Sequence, residues 1–258
     1  MKFVVLGSGS GGNASVVEAG NTRILVDAGF SAKQLRLRLE RARIDPESLD
    51  AVVLTHEHSD HTKGLRVFLK KLSFPIYSTV LTAEVVKETT GNATRWVCFE
   101  AGQSFQIGDL RIDSFPVMHD AVDPVGFVFR GGGASLGFIS DVGHAPDQLR
   151  KRLEHLCGIY LEANYEQSLL DADVRRPWPT KQRIASRHGH LSNEQAAELA
   201  AELAHPGLRH IILGHLSRDC NKPDLARTRV RRRLDSAGWS SISIHCVGQD
   251  EPTPWFDL

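Results

Sequence analysis

Apolar residues in the first half of the chain fall in short β-type runs between polar turns. Residues 3–6, 14–18 and 23–27 read as strands, the first two separated by Gly7-Ser8-Gly9-Ser10-Gly11-Gly12-Asn13. The run 51–54 is wholly apolar and predicts a short buried strand. More strands are expected at 76–77, 95–98, 104–107, 110–115, 125–129 and 136–140, the last two joined by a turn at Gly131-Gly132-Gly133. Helices are expected at 32–42, where Leu35, Leu37 and Leu39 stand among basic residues, and at 63–72 and 83–87.

The second half alternates. A helix at 146–156 has a proline start signal and is followed by a strand at 158–162. A helix at 193–204, with Ser192 or Asn193 as N-cap, precedes a strand at 209–213. A helix at 224–236 and a strand at 241–245 end the series. Residues 171–179, with Arg175, Arg176 and Pro177-Trp178-Pro179, read as a mobile loop. Strands then helices, repeated once without a linker, predict an α/β fold: a four-layer αββα sandwich forming one domain over residues 1–258.

Composition changes this picture little. A chain of 258 residues with 41% hydrophobic and 24% charged residues can bury a substantial core. Its formal net charge of zero removes the global signature of a nucleic-acid binder but not a local one. Cys98, Cys157, Cys220 and Cys246 never form C-x-x-C, so free thiols in a reducing compartment are expected. With no apolar leader and no apolar run of about 18 residues, the reading is cytoplasmic with no membrane span.

The candidate chemistry is concentrated in His56-Glu57-His58-Ser59-Asp60-His61. Imidazole and carboxylate suit Zn²⁺ or a similar divalent ion. Four donors so close in sequence crowd a single tetrahedral ion and are shared more easily between two. His119, Asp141 and His215 each follow an expected strand, where architectures of this class place chemistry. The allocation then closes: His56, His58 and His119 on one ion, Asp60, His61 and His215 on the other, and Asp141 bridging both. A water or hydroxide would lie between ions about 3.5–4 Å apart. Asp27, in Leu25-Val26-Asp27-Ala28-Gly29, is expected either to orient a metal-binding histidine or to shape the turn before Gly29.

Asp27, the run at 56–61, His119, Asp141 and His215, in that order, resemble the metallo-β-lactamase fold superfamily across nearly the whole chain. Gly189-His190-Leu191-Ser192 at a helix start, followed by Gly214-His215-Leu216-Ser217, is similar to the ribonuclease Z pattern. The opening glycine-rich loop, residues 116–126 and Leu161-Glu162-Ala163-Asn164 resemble the WalJ/YycJ-like branch more specifically. That resemblance implies a metal-dependent phosphodiesterase with two divalent ions (Zn²⁺ or Mn²⁺), acting on nucleic acid, DNA before RNA, as an exonuclease. Where that branch has histidine after Asn164, this chain has Tyr165, and no role is assigned to it.

The implied chemistry is in-line attack by the bridging hydroxide, with Asp60 also orienting the nucleophile. His190 is the expected proton donor to the leaving oxygen. Ser192 and the backbone N–H groups after it are expected to hold a phosphate, on helix-terminus grounds. Asn13 is expected to touch substrate, and Arg175–Arg187 with Trp178 to contact nucleic acid. A small-molecule hydrolase of the same fold is the alternative, and a non-catalytic metal-binding module stands behind both.

Overall fold

The protein is described by a computed structural model that covers residues 1–72, 74–90 and 95–258. Among the described residues, fourteen strands form two seven-stranded sheets. The strands are β1 (Lys2–Gly7), β2 (Ala14–Ala19), β3 (Thr22–Val26), β4 (Ala51–Val53), β5 (Ile76–Thr79), β6 (Trp96–Phe99) and β7 (Ser104–Ile107), then β8 (Leu110–Pro116), β9 (Val125–Gly131), β10 (Ala134–Ile139), β11 (Gly158–Glu162), β12 (His210–Gly214), β13 (Ser243–Cys246) and β14 (Phe256–Asp257). The first sheet has the order β14-β1-β2-β3-β4-β5-β6, the second β13-β12-β11-β10-β9-β8-β7. In each, antiparallel neighbours lead into parallel ones: β1 to β3 and then β3 to β6, β7 to β10 and then β10 to β13.

The helices are α1 (Ala32–Arg41), α2 (Ser59–Thr62), α3 (Leu65–Phe68), α4 (Val80–Thr90), α5 (Asp147–Arg152), α6 (Gln167–Ala172), α7 (Trp178–Ile184), α8 (Asn193–Glu202) and α9 (Pro223–Ser236). Strand alternation sorts the core into layers, because successive side chains point to opposite faces. Ile24 and Val26 pack between the sheets with Phe3, Phe127, Phe138 and Tyr160. Leu25, between them in sequence, faces outward onto Leu35 and Leu39 of α1. In the second sheet, Ile212 faces inward, while Ile211 and Leu213 meet Ala196 and Leu199 of α8 and Val230 of α9. The order of layers is helices, sheet, sheet, helices: the four-layer sandwich expected from the sequence.

Several boundaries differ from expectation. The helix expected at 63–72 is broken: α2 and α3 flank Gly64, whose N–H donates to Ala28 O at 2.8 Å. A Cβ at Gly64 would lie 2.2 Å from Phe30 O, so this backbone contact requires glycine. The helix expected at 146–156 ends at Arg152, and the chain turns through His155 in the left-handed region (φ 60°) into β11. The loop expected at 171–179 is shorter than expected: α6 runs to Ala172 and α7 begins at Trp178, with Pro177 as its N-cap and Pro179 in its first turn, so residues 173–177 form the loop. β14, which pairs with β1, has no counterpart in the sequence reading. Among the described residues all four cysteines are unpaired, and no helix is long and apolar enough to cross a membrane.

Candidate metal centre

The strand ends that point the same way deliver the polar side chains. Asp27 follows β3, the His56–His61 run follows β4, and His119, Asp141 and His215 follow β8, β10 and β12. Glu162 closes β11, and His190 sits in the turn before α8. Asp27, Asp141 and His215 hold left-handed backbone, with φ of 60°, 51° and 53°. Such conformations cost roughly 1 kcal/mol or more apiece and persist only where surrounding bonds fix them. Here Asp27 N–H donates to Val53 O (3.0 Å) and His215 N–H to Ser8 Oγ (2.7 Å).

Ligand-capable atoms converge in the two groups expected from sequence. One atom each from His56, His58 and His119 lie within 4.8 Å of one another, as do one each from Asp60, His61 and His215. Asp141 joins them: Oδ2 is 3.1 Å from His61 Nε2, while Oδ1 is 3.2 Å from His215 Nδ1 and 3.9 Å from His119 Nε2.

Hydrogen bonds on the far side of each ring set which nitrogen faces inward. His56 Nδ1 meets Thr55 Oγ1 (3.0 Å), His61 Nδ1 meets Asp27 Oδ2 (2.8 Å), His119 Nδ1 meets Gly189 O (3.1 Å) and His215 Nδ1 meets Glu162 Oε1 (2.8 Å). Each leaves Nε2 for the cluster, the arrangement by which ligating histidines are oriented. His58 instead turns Nδ1 inward, 3.0 Å from His56 Nε2. Asp27 also accepts from Thr55 N and Thr55 Oγ1, both at 2.9 Å, which fixes the carboxylate that meets His61.

A divalent cation fits this donor set. His215 Nε2 is buried and has no hydrogen-bond partner among the described residues, an expensive arrangement for a polar atom unless it binds a ligand. The electrostatics agree. Burial would raise the Asp141 carboxyl, but His215 and His61 outweigh it and hold Asp141 well below the usual carboxylate range. Burial would lower His215, but Asp141, Asp60 and Glu162 push it up to about 10. The side of the cluster formed by Asp141 and His215 thus favours positive charge, whereas burial holds His56 and His119 below the ordinary imidazole value.

Two residues expected at the substrate are occupied elsewhere. Asn13 is only 4% exposed. Its Oδ1 accepts from Gly9 N (2.9 Å) and Ser8 Oγ (3.0 Å), and its Nδ2 donates to Gly9 O (3.1 Å) and lies 3.1 Å from His61 Nε2. It therefore braces the glycine-rich loop against the ligand run. Gly29 completes that brace: its N–H donates to Asn13 O (2.9 Å), and a Cβ there would lie 1.6 Å from Asp60 O. Ser192 is N-cap of α8, its Oγ accepting from Gln195 N while the Gln195 side chain accepts from Ser192 N, a capping box. Its hydroxyl oxygen caps the helix.

Sequence reasoning left Glu162 without a role. It is fully buried, and its Oε1 takes both His190 Nδ1 (2.7 Å) and His215 Nδ1 (2.8 Å). Its Oε2 accepts from Val142 N (2.8 Å), next to Asp141, and from Leu191 N (3.3 Å), next to His190. The only local signal was an acidic residue at the end of an apolar strand. In the basic segment 175–187, Lys181 donates to Asp171 O and has no ion pair among the described residues. Arg175 and Arg176 pair with Asp173 and Asp219, and Arg183 pairs with Asp120, so these charges are already partnered. Trp178 is 66% exposed.

Comparison with known proteins shows the family. The family model described as beta-lactamase superfamily domain matches residues 22–215. The exodeoxyribonuclease WalJ of Streptococcus pneumoniae is 35% identical, over 100% of this chain and 98% of its own. This chain belongs to the metallo-β-lactamase superfamily, in its WalJ/YycJ branch. The exodeoxyribonuclease YycJ of Bacillus anthracis is 33% identical, over 98% of this chain and 97% of its own. Among solved structures, the metallo-β-lactamase fold protein YhfI from Bacillus subtilis superposes with a TM-score of 0.75 at 19% identity, covering 98% of each chain, a likeness of fold.

Proposed function

We propose that this protein is a metal-dependent exonuclease acting on DNA, with two divalent ions, Zn²⁺ or Mn²⁺, held by the ligand groups around Asp141. The observation that carries hydrolysis is the convergence of the His56/His58/His119 and Asp60/His61/His215 groups on one carboxylate. The choice of DNA rests on the two full-length relatives, both named exodeoxyribonucleases, at 33% and 35% identity. Bound in those groups, the ions would supply an activated water and neutralise charge on a phosphoryl group.

The chain's own residues do the rest. Asp60 faces the cavity, and its carboxylate lies near Asn13 Nδ2 (3.4 Å) and His215 Nε2 (3.7 Å), a placement suited to orienting an attacking water. His190 also lines the cavity. Glu162 holds its Nδ1, leaving Nε2 to meet the leaving oxygen. Burial would strip the proton from His190, but the Glu162 carboxylate outweighs burial and raises its pKa above the ordinary value. A histidine so held keeps its proton to higher pH than a free imidazole and can protonate an alkoxide.

The deciding experiment uses DNA labelled at either end, single- and double-stranded, beside RNA, bis(p-nitrophenyl) phosphate and S-lactoylglutathione. Stepwise shortening of DNA from one end is the expected result. Turnover of the thioester alone would refute the phosphodiesterase reading, and preferential degradation of RNA would reassign the substrate.

A further inference from the structure

The cavity holding the ligand cluster has a second, chemically different lining. Tyr165, Leu170, Ile184 and Cys220 contribute to it, with Arg176. Tyr165, Leu170 and Cys220 form an apolar cluster of their own, with Leu169 and Ile184 packed against it, apart from the three larger cores. The cavity measures about 270 Å³, at the small end for ligand pockets. It therefore offers ligand atoms and His190 on one part of its surface and recessed apolar side chains on another.

Charge decides what that apolar lining takes. Arg176 gives one terminal nitrogen to Asp173 and the other to Asp219 (3.0 Å), and Arg183 is paired with Asp120. Neither guanidinium retains an unopposed charge for a phosphate. The neighbouring polar groups are partly used: Asn164 Nδ2 donates to His215 O (2.8 Å) and Ser217 Oγ accepts from Cys220 N (3.1 Å). The apolar lining thus suits a flat, neutral group.

We propose that Tyr165, Leu170, Ile184 and Cys220 form a subsite for one unstacked nucleobase, whose phosphate reaches the metal centre. The clamped Arg176 borders that base. The subsite is indifferent to base identity, because contact with an apolar wall uses the π-face that every base has. This deepens the nuclease reading and rests on it, but its test is separable.

The test is calorimetric titration of the Mn²⁺-loaded protein with deoxyadenosine 5′-monophosphate and with 2-deoxyribose 5-phosphate. The nucleotide is expected to bind about tenfold more tightly, the worth of a modest stacking contact. Ile184→Asn should bring the two within about threefold by weakening the nucleotide alone. Ile184 is half-buried and its carbonyl still accepts His190 N–H, so this variant spares the catalytic loop. Equal affinities in the wild type, a variant that weakens both ligands alike, or no binding of either would overturn the subsite. Tighter binding of the nucleotide than of the sugar phosphate, without cleavage of any DNA, would keep the subsite and reject the nuclease reading. Equal cleavage of DNA with a normal and an abasic terminal residue would keep the nuclease and reject the subsite.

Discussion

Glu162 Oε1 serves two imidazoles at once, His190 at 2.7 Å and His215 at 2.8 Å. A single buried carboxylate therefore orients both a candidate metal ligand and the candidate acid. For His190 the folded-state pKa is raised, so the acid form persists below that value and is lost as pH rises through it. DNA cleavage should fall on that alkaline side. His190→Ala should lower DNA cleavage by about 10²–10⁴-fold, the usual worth of a general acid. Turnover of bis(p-nitrophenyl) phosphate should change far less, because p-nitrophenolate leaves without a proton. Metal content, measured by atomic emission, should stay the same; its loss would make His190 a ligand.

At the scale of elements, most strands were legible because alternation and apolar runs are local properties. Helix ends were less so: Gly64 and His155 stop their helices through contacts and backbone angles that periodicity does not encode. The start of α8 is instructive. A serine before an Ala/Leu/Glu-rich stretch is compatible with capping and with phosphate binding, and only the observed pair of bonds with Gln195 decides for capping. Ser192→Ala should accordingly cost about 1 kcal/mol in thermal unfolding while leaving kcat/KM for DNA near wild type. A tenfold fall in kcat/KM with an unchanged midpoint would restore Ser192 to the substrate.

At the scale of the molecule, the ligand groups draw on both sheets. Asp60 and His61 follow β4 in one sheet, and His119, Asp141 and His215 follow strands of the other. Cations bound there cross-link the two halves in the native state only. Removing them with a chelator should lower the unfolding temperature, and adding Zn²⁺ or Mn²⁺ back should restore it. At a thousand times the dissociation constant such an ion contributes about 4 kcal/mol. An unchanged midpoint after verified metal removal would show that the sheets hold without the site.

The sequence by itself determined the layered fold and the ligand types, because strand alternation and the His56–His61 run are written over a few consecutive residues. It also singled out His119, Asp141 and His215, through their places after apolar runs, and the fold brings them together with that run. Tertiary structure alone decided where each polar atom is spent. Asn13 meets the ligand run 47 and 48 residues on, Glu162 reaches His215 across 53 residues, and His215 N–H finds Ser8 across 207. Such pairings leave no local pattern, since a hydrogen bond depends on the distance between two atoms in space and not on their separation along the chain.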